Sequence, residues 1–156
     1  MANRILNQIY TQLYDESFSY TEFSKRLKMQ KGIYLLQEMG VPVGDYRFSW
    51  YKHGPYSQEL LDDMHNMSLS NRCVLAEEAR IAVSDLHNAL VVPATSNYSQ
   101  EDWSECLGSL HYLKENIFAL SSNDSELLGE LIKRKPHLDD IKSNEIALQR
   151  IEKLFA

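Results

Sequence analysis

Ile5, Ile9 and Leu13 recur every four residues with Leu6 and Tyr10 beside them, so the first fifteen residues read as an amphipathic helix. The polar and aromatic run from Asp15 to Tyr20 breaks it. Thr21 is a candidate cap for the next helix, with Ser24 as a later alternative start. Along that helix Met29, Gly32, Ile33, Leu36 and Met39 form one apolar stripe, which Leu35 widens. Gly40 stands where a left-handed C-terminal residue is expected, and Pro42 prevents continuation.

At Phe48 the period changes to two. Phe48, Trp50 and Lys52 alternate with Ser49, Tyr51 and His53, which predicts a strand. Trp50 and Tyr51 then face opposite sides, one as a core anchor and the other as an exposed aromatic. Gly54-Pro55 predicts a turn, with the proline presetting the first turn of a helix that carries Leu60, Leu61 and Met64 and frays near Met67 to Ser70. Cys73-Val74-Leu75 is a candidate second strand, antiparallel to the aromatic one. Ala76 to Leu90 reads as a helix with Ile81, Leu86 and Leu90 facing inward. Ser99-Gln100-Glu101-Asp102 resembles a capped helix start, followed by the inward series Trp103, Leu107, Leu110, Leu113 and Ile117. Two further helices are expected, from about Ser125 to Lys135, stopped by Pro136, and from about Ser143 to Phe155. These elements predict a mainly α, compact helical domain over residues 1–156, with a small two- or three-stranded antiparallel β element.

The 156 residues suffice for one real core, and 44% apolar against 24% charged residues is an ordinary globular balance. A formal charge of −6 offers no broad footprint for nucleic acid. Two local basic groups stand out, Lys25, Arg26, Lys28 and Lys31, and Lys133, Arg134 and Lys135, and such runs usually mark a solvated face. Cys73 and Cys106 lack metal-ligand spacing, and no apolar run reaches the ~20 residues of a membrane span. The expectation is a cytoplasmic chain with reduced thiols and no membrane partner.

His53, His65, His87, His111 and His137 are dispersed, and none joins a cysteine at zinc-finger spacing. Asp62-Asp63 and Asp139-Asp140 are adjacent pairs suited to a solvated surface. There is no phosphate-cradling glycine loop and no Gly-x-Ser-x-Gly elbow. A triad assembled from distant Ser, His and Asp would leave no local mark. The expectation is therefore no catalytic residue, no metal ligand and no cofactor. His53, just before Gly54, reads first as a hydrogen-bonding turn residue, with partner contact or titration near neutral pH as the alternative.

The helix segment Leu27-x-Met29-Gln30-Lys31-x-Ile33-Tyr34-Leu35-Leu36, followed by Phe48-Ser49-Trp50-Tyr51-Lys52-x-Gly54-Pro55-Tyr56-Ser57, resembles the Panacea or SocA-like antitoxin domain. That family has a helix reading like Leu-Gln-Lys-Leu-Leu-Tyr, then a strand ending Trp-x-x-Gly-Pro. The likeness spans about the first 65 residues. Met29 stands where the family more often has Leu, and Tyr56-Ser57 replaces the usual apolar residue after Pro, as in a phage-associated branch. The resemblance implies a mostly helical domain that binds and neutralises a toxin protein often encoded beside it. It carries over Gln30, Lys31, Tyr34, Trp50, Tyr51, Gly54 and Pro55 as motif positions.

The leading expectation is a non-enzymatic module that sequesters a partner protein, a toxin or a phage-defence component. The aromatic strand and Gly-Pro turn would frame a groove beside the Met29–Met39 helix. Trp50 or Tyr51 would anchor the partner, with Tyr56 and His53 in the same patch and Lys31 and Lys52 as a charged rim. The acidic remainder would suit a basic partner. The alternative is a nucleic-acid-associated regulator with a winged-helix-like surface, whose basic face would come from Lys25, Arg26, Lys28 and Lys31.

Overall fold

A computed structural model describes residues 4–67, 73–117 and 123–156. Among these, the chain runs α1 (Leu6–Tyr14), α2 (Phe23–Glu38), β1 (Ser49–Tyr51), β2 (Gly54–Tyr56), α3 (Gln58–His65), α4 (Glu77–Leu90), α5 (Gln100–Asn116), α6 (Asp124–Arg134) and α7 (Ile141–Leu154). The result is the mainly α fold with a small antiparallel sheet that the apolar spacing predicts. One apolar cluster draws side chains from all seven helices.

α2 and α5 form the centre, packed on each other. Every residue of α2 from Leu27 to Leu36 is buried, as are Trp103 to His111 of α5. α1 packs on α4, α7 and α6 cover α5, and the sheet lies across α2 and α5 together. A side chain at Gly32 would strike Leu13, its Cβ falling 2.8 Å from the leucine methyl, so glycine lets α1 approach the centre. Beside it the Tyr14 hydroxyl donates to the Lys28 carbonyl at 2.9 Å and meets Ser104 Oγ at 3.1 Å.

Helix ends follow local chemistry where a capping residue exists. Gly40 has φ +90°, and its N–H and that of Val41 reach the Gln37 and Leu36 carbonyls, closing a Schellman stop. Ser57, Ser99, Asn123 and Asp140 cap α3, α5, α6 and α7 through their side chains. α2 departs from expectation: it begins at Phe23 behind Glu22 with no side-chain cap, and Thr21 Oγ1 bonds Ser19 Oγ instead.

Four further expectations are corrected. Gly54-Pro55 is no turn before a helix but the start of β2, and the hairpin turns at Lys52-His53. Pro55 lies opposite Trp50 in a ribbon with two edges, where a missing N–H costs little. Cys73-Val74-Leu75 forms no strand; the Gln8 side chain takes both backbone groups of Cys73, and the sheet stays two-stranded among the described residues. Ile81 is 55% exposed, and Ala79 and Val83 supply the inner face of α4 with Leu86 and Leu90. Ile117 likewise caps α5 at the surface. Residues 68–70, where fraying of α3 is expected, lie outside the described residues.

Candidate functional site

A two-stranded ribbon with strands this short has little stability of its own. Here it is held from behind by polar side chains of buried helices. Gln30 bonds both backbone groups of Ser57, and the Lys31 ammonium donates to the Pro55 carbonyl at 2.6 Å. From the other end of the chain, Lys135 donates to the carbonyls of Tyr51 and Lys52 and lies 5.0 Å from the centre of the Trp50 ring. Gly54, at φ +89°, lets the ribbon touch α5, since a Cβ there would fall 2.4 Å from Ser109 Oγ. Tyr34 is also interior and bonds Nδ1 of His111 at 2.7 Å.

The motif residues therefore divide. Gln30, Lys31, Gly54 and Pro55 are buried where the hairpin meets α2 and α5, and Tyr34 is buried between Phe48 and His111; Gln30 and Lys31 also line the hollow beside the hairpin. Lys31, only 1% exposed, is no part of a charged rim. Tyr51, Lys52, His53 and Tyr56 reach the surface, and Trp50 is half-buried against Tyr112. Trp50 is thus the anchor toward the core and Tyr51 the exposed aromatic, stacked on Tyr56 at 5.1 Å.

The basic helix face that nucleic-acid binding would need is not formed. Lys28 and Lys31 are buried, Lys28 pairing with Glu16 at 2.8 Å. Lys25 is held by Glu22 and the Ser17 carbonyl, and Arg26 donates to the Tyr20 carbonyl.

A groove does open beside the hairpin, along α2 from Phe23 to Lys31, so it overlaps the start of the Met29–Met39 segment and extends toward the helix N-terminus. It encloses about 210 Å³ between Phe23, Leu27 and Leu61 on one side and Tyr51, His53 and Tyr56 on the other. Phe23 is 55% exposed and Tyr51 53%, and Arg26 lies over the Phe23 ring at 5.6 Å.

Beyond His53 lies a second hollow of about 340 Å³, floored by Glu105 of α5. This carboxylate is 1% exposed and stands between two half-exposed imidazoles. His53 Nδ1 lies 3.3 Å from Oε1, and His137 Nε2 lies 3.0 Å from Oε2. Asp102, one turn earlier on α5, faces the same point. The phenyl ring of Phe23 packs edge-on to His53 at 5.3 Å, joining the two hollows. Burial pushes the Lys31 ammonium down to about 7, with the Glu105 charge opposing the shift. Burial also lowers Lys135 and raises the Cys106 thiol, which lies 3.3 Å from Asn144 Oδ1.

His53 is the hydrogen-bonding turn residue expected first, and the sequence does not single out its partner Glu105. Glu105 and His137 lie 52 and 84 positions further on, so spacing could not join them to His53. The one available signal is a charge, Glu105, set among the inward residues Trp103, Cys106 and Leu107. No helix among the described residues is long and apolar enough to cross a membrane. No protein family, curated protein or solved structure matches this chain, so hairpin, groove and glutamate–histidine cluster must speak for its function themselves.

Proposed function

We propose that this chain is a non-enzymatic protein-binding module of the antitoxin type, which neutralises a toxin or serves a phage-defence system. It takes an apolar side chain of its partner into the groove between the hairpin and the first half of α2. The observation that carries this reading is the pair Phe23 and Tyr51, two large exposed rings flanking an apolar groove that a clamped hairpin keeps open. Rigid aromatic rims of this kind concentrate binding energy because they bury much area while losing few rotamers. The likeness of the Gln30-Lys31 and Trp50-to-Pro55 segments to SocA-like antitoxins supports the same reading. A net charge of −6 favours a basic partner.

The proteins encoded beside the gene are the partners to test, by growth rescue on co-expression and by titration calorimetry. A growth-arresting neighbour is expected to be neutralised, and Phe23→Ala and Tyr51→Ala should each weaken its binding about tenfold or more with the fold retained. If both variants bind as the parent does, the groove is not the contact. If no neighbour is bound or neutralised, the antitoxin reading fails.

A further inference from the structure

We propose that Asp102, Glu105 and His137 bind a single divalent transition-metal ion of the Zn2+ type, with His53 as the positioning residue that holds Glu105. The ion goes beyond the protein-binding reading and does not depend on it.

Distances come first. One ligand atom from each of the three residues can be chosen so that all lie within 4.8 Å of one another. Two ligands at about 2.0–2.1 Å from a tetrahedral zinc are about 3.4 Å apart. The His137 Nε2 to Glu105 Oε2 separation of 3.0 Å needs only a few tenths of an ångström to meet that. Asp102 is partly exposed, and a change of its side-chain rotamer is the movement the remaining gap needs. The hollow in front leaves a fourth position open to water.

Charge points the same way. The hollow is lined by Glu101, Asp102 and Glu105, and no lysine or arginine is among the described residues lining it. Of the cations around it, Lys31 faces the Pro55 carbonyl and Lys135 those of Tyr51 and Lys52, while Lys28 pairs with Glu16 and lies 3.9 Å from Glu101, leaving Asp102 and Glu105 as the carboxylates at the ion position. They temper the site's affinity without occupying it.

Ligand type then selects the ion. One imidazole with two carboxylates suits zinc and its first-row neighbours, whereas calcium and magnesium favour oxygen donors alone. His53 Nδ1 sits on the other Glu105 oxygen, at 3.3 Å, where an outer-shell partner orients a ligating carboxylate.

The test uses the full chain stripped with a chelator and titrated with Zn2+ against a chromophoric competitor, with Co2+ as a spectroscopic probe. One ion per chain is expected, and Co2+ should show a visible ligand-field band. Asp102→Asn and His137→Gln, at positions outside the core, should each lower affinity about tenfold or more, and His137→Gln should lose the Co2+ band. His53→Gln should keep the stoichiometry but weaken binding by about tenfold. His87→Gln, outside the cluster, should bind as the parent does. Absence of stoichiometric binding, or binding unchanged in both ligand variants, overturns the site and leaves a hydrogen-bonded ion cluster. Unchanged affinity in His53→Gln removes its positioning role.

Discussion

Gln30 closes a two-bond ring with the backbone of Ser57, its Nε2 donating to the carbonyl at 2.8 Å and its Oε1 accepting the N–H at 2.9 Å. Gln8 makes the same ring with Cys73, and Gln37 makes it with Tyr46. A side-chain amide thus copies a peptide group, and at these three positions a helix takes the place that a neighbouring strand would fill.

Gln30→Ala would leave the Ser57 N–H buried without its partner, while the Ser57 carbonyl keeps the Leu61 N–H, so it should cost about 1–3 kcal/mol in urea denaturation. Gln8→Ala should cost about 1 kcal/mol or less, because Cys73 is partly open to water, which can replace the lost bonds.

Lys31 should make stability rise with pH on the alkaline side. Burial lowers its pKa from 10.5 to about 7. Below about pH 7 the ammonium is charged in both folded and unfolded chains, and its burial penalty is complete. Between about 7 and 10.5 the unfolded chain holds a proton that the folded chain has released, so stability climbs. Urea midpoints of the parent and Lys31→Met across this range should diverge, the parent gaining relative to the variant as pH rises. Parallel profiles would mean that Lys31 does not titrate there.

His111 should act on the acid side. Burial, with Lys114 adding to it, lowers its pKa from 6.5 to about 4. Burial keeps the Tyr34 hydroxyl protonated, 2.7 Å from Nδ1 of this ring. As pH falls from 6.5 toward 4 the unfolded chain takes up a proton first, and stability drops. His111→Gln should flatten that limb of the stability profile. Imidazole nitrogen shifts in the parent should show a neutral ring at pH 6; a charged ring there would contradict the assignment.

Gly54→Ala should destabilise by about 2–4 kcal/mol, since it combines a left-handed backbone with a collision against Ser109 Oγ. That oxygen is buried with no hydrogen-bond partner among the described residues. Ser109→Ala should therefore leave stability unchanged or raise it by about 1 kcal/mol. The double variant should lose less than the two single effects added together. Thermal and urea unfolding of all three would decide it.

How much of this was legible in the chain depended on how local each feature is. The spacing of Ile9 and Leu13, the Gly40 stop and the Ser99 cap involve neighbours within a turn or so, and they form as read. α2 was harder because it is enclosed on all sides over Leu27–Leu36, and such a helix carries no polar face to betray its orientation. Gln30 and Lys31 look like surface residues until the hairpin that they serve lies against them. Pro55 read as a helix start because nothing nearby marks it as the strand partner of Trp50. Of the candidate sites, the exposed half of the hairpin was visible in its aromatics. The Glu105 cluster is assembled by long-range packing, and its sole local trace is the glutamate charge among the inward residues of α5.

Lys135 donates to the carbonyls of Tyr51 and Lys52 across 84 and 83 positions of sequence. As a ribosome makes the chain from its N-terminus, the hairpin waits for this tether until α6 has emerged. The hairpin therefore has the Gln30 and Lys31 bonds within reach first, and its full set of bonds only once α6 is made.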